Sequence, residues 1–320
     1  MSDRPDTVGS ATPMTPPPDA PGAVTRLFVG RDGLRALWSV ILFAIILAAV
    51  SFLILAVVGL VLAVILHPVG NRGYSITTTP VGIALWSYPF AIAVVAATMV
   101  MARLEHRSPW RYGLALRRAG GLFAAGLGWG FLALSVLVGL LALTGHLTIS
   151  GAGNPPLVAL RYAAEWAVAF LGVGLFEETL SRGYLQTRLS RAVGFWPAAV
   201  LLSILFGAGH YSNHGETAIG LIGAGTVGLV FCYSLYRSGS LWWAIGFHAA
   251  WDWAQSYFYG THDSGIASTG ALLTSDPVGA TWLSGGTTGP EGSVLIFVIL
   301  IAVALVIRWT LTPPTTDSRL

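Results

Sequence analysis

Residues 176–182 read FEETLSR, and this stretch decides how the rest of the chain is interpreted. It places two adjacent carboxylates and one guanidinium in a run that is otherwise mostly apolar. Ionised side chains inside an apolar segment of membrane length are costly and usually functional. Glu178 and Arg182 stand four residues apart, the favourable spacing and order for an ion pair on one helix face. Glu177, about 100° away around the helix, is left without a local partner and becomes the candidate functional carboxylate.

The composition is that of a membrane protein. Of 320 residues, 54% are hydrophobic and only 10% are charged, and the mean hydropathy is +0.71. Soluble domains carry about 25% charged residues, so a polytopic membrane protein is predicted. All 17 basic residues are arginines, placed mostly in short connections, and the net charge of +3 therefore does not indicate nucleic-acid binding. Cys232 is the only cysteine, which excludes an intrachain disulfide.

Eight apolar runs predict an all-α bundle of about eight transmembrane helices with a polar cavity inside it. They lie near residues 37–66, 81–102, 121–144, 157–187, 196–211, 218–236, 241–258 and 293–311. A span takes about 20 helical residues. We predict a disordered tail over 1–25, a transmembrane domain over 26–312 with its motif-bearing core at 157–260, and a second tail over 313–320. The pattern does not decide whether the long connection 259–292 is ordered.

The arginines predict the orientation. If the N-terminus is cytoplasmic, the inner connections and tails carry fourteen arginines, and the outer side carries only Arg72 and Arg161. This asymmetry is typical of the positive-inside rule. The inner set is Arg4, Arg26, Arg31, Arg35, Arg103, Arg107, Arg111, Arg117, Arg118, Arg188, Arg191, Arg237, Arg308 and Arg319. We therefore expect a multi-pass protein of the plasma (inner) membrane with both termini in the cytoplasm.

A glycine pattern in the sixth run does not indicate nucleotide binding. Gly223, Gly225 and Gly228 match G-x-G-x-x-G, but no strand precedes them and no acidic residue follows at the required distance. Gly220, Ala224 and Gly228 instead form a small-residue face suited to close packing between helices.

Three further polar residues lie in apolar runs. His210 ends the fifth run, His248 lies in the seventh, and Asp252 follows His248 by four residues and shares its helix face. A lone histidine on an apolar helix is most often a packing residue. Polar groups contributed by three spans favour one shared site, provided that the fourth helix continues beyond Leu180.

The ordered motifs resemble those of the CPBP (Abi) family of intramembrane proteases, which includes the CAAX prenyl endopeptidase. The matching motifs are E-E-x-x-x-R at 177–182, F-x-x-x-H at 206–210 and H-x-x-x-D at 248–252. The resemblance implies an eight-helix bundle whose catalytic cavity opens to the cytoplasm and the lipid. It also implies peptide-bond hydrolysis, in which Glu177 activates a water with help from His210. His248 and Asp252 would then stabilise the oxyanion.

One departure leaves the cofactor open. The eukaryotic enzyme has Asn where this chain has Asp252, and an ionised carboxylate cannot donate to an oxyanion. Asp252 therefore orients His248, binds a metal, or carries a proton. Glu177, His210, His248 and Asp252 would suit a catalytic zinc ion with water in the open position. A metal-free glutamate mechanism fits the same residues and is slightly preferred.

The rival interpretation is non-enzymatic: a membrane scaffold, an immunity protein or a transporter that holds a ligand in the same cavity. Transporters often carry internal repeats, and we find no convincing repeat between the two halves. The expected partners are the bilayer and a peptide or protein substrate at the membrane, with no nucleic acid and no nucleotide. The sequence does not indicate whether the substrate is prenylated.

Overall fold

The predicted helical class is confirmed. The structure, a computed structural model, describes residues 28–30, 33–66, 78–151 and 153–312, so the predicted tails 1–25 and 313–320 lie outside the described residues. The helices are α1 (Ala36–Leu66), α2 (Pro80–Leu104), α3 (Ala119–Leu143), α4 (Pro156–Thr179), α5 (Leu185–Val193), α6 (Phe195–Gly209), α7 (Ala218–Ser238), α8 (Trp242–Trp253) and α9 (Leu295–Thr310), with single helical turns between some of them.

Six helical stretches in the described residues are long and apolar enough to cross a bilayer, as a polytopic membrane protein requires. The two other predicted spans form shorter helices, with 12 residues in α8 and 16 residues in α9. Nine of the twelve residues of α8 are buried, so this helix lies inside the bundle rather than against lipid. The exact number of crossings therefore stays a prediction.

Close packing between α3 and α8 depends on glycines. A Cβ atom at Gly130 would lie 2.2 Å from the carbonyl oxygen of Phe247, and one at Gly126 would lie 2.2 Å from that of Trp243. Only glycine allows two helix backbones to approach this closely. The glycines of α3 thus let α8 take a central position in the bundle, where it also packs against α4.

The fourth predicted helix does continue beyond Leu180. A π-helical turn, Leu180–Tyr184, joins α4 to α5, and Gly183 has a non-helical ψ of −112° inside it. The Tyr184 hydroxyl donates to Glu105 Oε1 at 2.5 Å, and Arg188 Nε lies 3.6 Å from the same oxygen. These buried contacts fix the turn against α2. π-turns inside α-helices are rare and occur frequently at functional sites.

The connection 259–292 is ordered and folds onto the end of α8. After α8 the chain makes a second π-helical turn, Ala254–Phe258. The described residues include two short antiparallel ladders, β1 (Val29–Gly30) with β2 (Gly33–Leu34) and β3 (Leu147–Gly151) with β4 (Leu273–Pro277). The second ladder ties the connection to the chain between α3 and α4. We refer to residues 259–292 as the capping segment.

Candidate active site

The structure brings all four predicted catalytic residues to one cavity of about 530 Å³. Glu177, His210, His248 and Asp252 all line it. Much of the remaining wall is apolar and includes Phe176, Leu180, Leu202, Leu205, Phe206 and Val227. A largely apolar cavity with a few convergent polar groups is typical of a binding or catalytic site.

Two carboxylates converge on one nitrogen of His248. Glu177 Oε2 lies 3.7 Å from His248 Nε2, and Asp252 Oδ2 lies 3.5 Å from the same atom. Both distances exceed a good hydrogen bond, so the three groups lie close together without a hydrogen bond between them. Glu177 Oε2 has no hydrogen-bond partner within the described part of the chain. This oxygen is buried and its capacity to accept a hydrogen bond is unused in the described part of the chain.

Glu178 holds the other nitrogen of His248. Its Oε1 lies 3.0 Å from His248 Nδ1 and also 3.0 Å from Arg182 Nη1. Since an ionised carboxylate only accepts, the Nδ1–H of the imidazole donates here, and Nε2 is turned towards Glu177 and Asp252. The predicted ion pair between Glu178 and Arg182 is present. The contact between Glu178 and His248, which stand 70 residues apart, has no local signal in the sequence.

Phe206 packs between the polar groups of three motifs. The guanidinium carbon of Arg182 lies 4.2 Å from the centre of its ring, within the range of a cation–π interaction. The ring of His210 is 5.0 Å away and that of His248 is 6.5 Å away, measured between centroids. The aromatic residue of the F-x-x-x-H motif therefore packs against Arg182, His210 and His248.

His210 faces the cavity from a separate element. It begins a single 3₁₀ turn after α6, and its Nδ1–H donates to the backbone oxygen of Phe206 at 2.9 Å. Within the described residues it makes no hydrogen bond to Glu177 or His248. His210 therefore lines the same cavity as these groups, and its hydrogen bond is to the backbone of its own segment.

The capping segment adds acidic groups that the sequence analysis did not identify. Asp263, Ser264 and Glu291 line the same cavity. Burial raises the pKa of the Asp263 carboxyl well above its usual range, and the nearby carboxylates of Asp252 and Glu291 raise it further. A proton on Asp263 is therefore favoured. No local motif marks these residues, because they reach the cavity only through the fold of the capping segment.

The residues of the cavity do not form a metal site in this arrangement. Across the described ranges, no group of three or more His, Cys, Asp or Glu side chains is placed to hold a metal ion. Glu178 already occupies Nδ1 of His248, and the backbone oxygen of Phe206 occupies Nδ1 of His210. We therefore derive no step through a metal.

A comparison with family models agrees with the motifs. Residues 159–254 match the model described as type II CAAX prenyl endopeptidase Rce1-like. The predicted resemblance to the CAAX protease family is thus confirmed. The matched Rce1-like segment contains all three motifs and ends before the capping segment. Comparisons with curated proteins and with solved structures found no match.

Proposed function

We propose that this protein is an intramembrane endopeptidase that hydrolyses a peptide bond of a membrane-associated or lipidated substrate. The observation that carries the proposal is the convergence of Glu177 and Asp252 on Nε2 of His248 inside a largely apolar cavity. The Rce1-like match supports the proteolytic class. The apolar wall suits the apolar part of a substrate embedded in or anchored to the bilayer.

In the proposed reaction, Glu177 is the general base. It takes a proton from a water molecule, whose oxygen attacks the carbonyl carbon of the scissile peptide. His248, with both ring nitrogens protonated and held by Glu178, donates from Nε2 to the developing oxyanion. When the tetrahedral intermediate collapses, the C–N bond breaks and Glu177 returns the proton to the leaving amine. His210 and Asp252, on the same cavity, assist these steps.

Cleavage of defined peptides tests this proposal. Purified protein in proteoliposomes is incubated with farnesylated and unprenylated membrane peptides, and fragments are identified by mass spectrometry. We expect fragments from the wild-type protein and none from His248→Ala, since that variant lacks the oxyanion donor. Specific peptide binding without any product would instead favour the scaffold, immunity or transport role.

The metal-free form of the mechanism has its own test. Treatment of the wild-type protein with a zinc chelator should leave the cleavage rate unchanged, because Glu177 activates the water without a metal ion. A loss of cleavage that added zinc restores would contradict the metal-free mechanism without removing the hydrolytic function.

A further inference from the structure

The capping segment contacts both elements that carry the cavity histidines. Asn213, three residues after His210, donates from Nδ2 to the backbone oxygen of Ser264 at 2.9 Å. The hydroxyl of Ser264 donates to Glu291 Oε2 at 2.9 Å. Ser264 therefore joins the chain after α6 to the end of the capping segment.

Glu291 extends this connection to the helix that carries His248 and Asp252. Its second oxygen, Oε1, accepts from the indole Nε1–H of Trp251 at 2.7 Å. Trp251 stands three residues after His248 and directly before Asp252, and its ring stacks on that of Phe247. A continuous set of three hydrogen bonds thus runs from Asn213 through Ser264 and Glu291 to Trp251.

Two features of this connection cost free energy: the left-handed backbone of Ser264 and the placement of the Glu291 carboxylate in the cavity. Ser264 has a φ of 45°, in the left-handed region that residues other than glycine, asparagine and aspartate seldom adopt. Such backbone strain persists only where the surrounding structure enforces it. The Glu291 carboxylate lines a cavity that has no arginine or lysine among its described lining residues, and it is held by neutral donors alone.

We propose that Ser264 and Glu291 are positioning residues that set the separation of His210 and His248 across the cavity. This inference rests on the proposed function. The capping segment lies outside the matched Rce1-like region, residues 159–254. Without these hydrogen bonds, α8 and the turn after α6 are no longer linked through the capping segment. The distance between the imidazoles of His210 and His248 then varies.

The first test is kinetic and uses the peptides of the cleavage assay. Glu291→Ala and Ser264→Ala should lower kcat by about tenfold, the equivalent of one hydrogen bond to a charged group, with little change in KM. Glu291→Gln, whose amide oxygen still accepts from Trp251, should retain most of the activity. Asp276→Ala serves as control, because this carboxylate lies exposed in the same segment, away from the cavity.

A double-mutant comparison separates positioning from a general structural effect. Trp251→Phe keeps the ring and removes the donor. If Glu291 acts through Trp251, the double variant Trp251→Phe/Glu291→Ala should be no slower than the slower single variant. The proposal would be overturned if the fold loss of kcat in the double variant equalled the product of the two single losses. A wild-type kcat in Glu291→Ala would also overturn it.

Hydrogen exchange keeps the inference testable if the protein cleaves none of the peptides. That result would contradict the proposed function alone. Glu291→Ala should still accelerate amide exchange in residues 209–214 and 248–253, with exchange in α2 unchanged as a measure of global stability. Unchanged exchange in both segments would overturn the positioning role, whatever the outcome of the cleavage assay.

Discussion

At the scale of single residues, the sequence marked the polar groups but not all of their partners. The helical spacing correctly separates Glu177 from the Glu178–Arg182 pair, because the angle around a helix is a local property. The contact between Glu178 and His248 spans 70 residues and has no local signature. The candidate residues could thus be listed from the sequence, whereas the contact that holds the His248 imidazole could not.

Gly228 illustrates a residue whose role only the structure explains. A Cβ atom at this position would lie 2.7 Å from Arg182 Nη2 and 3.0 Å from Ser203 Oγ. The sequence assigned this glycine to a face for close helix packing. The space that a side chain at Gly228 would need is occupied by the guanidinium of Arg182, which pairs with Glu178.

Gly228→Ala should therefore lower the cleavage rate and destabilise the protein by about 1–3 kcal/mol, the usual cost of overpacking. The displaced Arg182 would loosen Glu178 and, through it, His248. Peptide cleavage and thermal unfolding in detergent provide the two measurements. Gly139→Ala is the control, since a Cβ there meets nothing within 4 Å. Equal cleavage rates and equal thermal stability of Gly228→Ala and Gly139→Ala would show that Arg182 does not need the space beside Gly228.

At the scale of elements, apolar runs predicted the helices because burial and helical hydrogen bonding act over contiguous residues. The seventh run, 241–258, contains a 12-residue α-helix followed by a π-turn, a local change that periodicity does not reveal. For a similar reason the sequence does not indicate whether the capping segment is ordered. Its order depends on side-chain bonds such as that between Ser275 and Tyr259 and on pairing of β4 with the distant β3.

The packing of α3 against α8 gives a prediction at this scale. Gly130→Ala should push α8 away from α3 at Phe247, next to His248, because the added methyl group would collide with a backbone carbonyl. We expect a loss of about 1–3 kcal/mol in the free energy of unfolding together with reduced cleavage.

Gly128→Ala provides a matched control for this change. It lies in the same helix, and a Cβ there would meet nothing within 4 Å. Chemical denaturation and the peptide assay should show normal stability and activity for Gly128→Ala. A Gly130→Ala protein as stable and active as the wild type would show that the close contact is unimportant.

At the scale of the whole molecule, composition alone predicted the class, since a chain that is 54% hydrophobic and 10% charged cannot hide its apolar surface in a soluble domain of this length. The helical bundle and the Rce1-like match agree with that class. The orientation in the membrane rests on the arginine distribution and remains a prediction.

Cysteine labelling tests the orientation. Cys232 is fully buried, so an impermeant maleimide should not react with the native protein. With both termini in the cytoplasm, Asp276→Cys should be labelled in intact cells, and Arg117→Cys only after permeabilisation. Both positions are exposed in the structure. The reverse pattern of labelling would invert the predicted topology.

The central claim is that Glu177 activates the water that cleaves the peptide. The most direct measurement compares the cleavage rates of Glu177→Gln and Glu165→Gln, the same change at two positions of α4. Glu165 lies in a partly exposed ion pair with Arg161. We predict that Glu177→Gln loses about 100-fold or more in rate while remaining folded, the usual contribution of a general base, and that Glu165→Gln keeps the wild-type rate. Cleavage by Glu177→Gln at the wild-type rate would contradict the account.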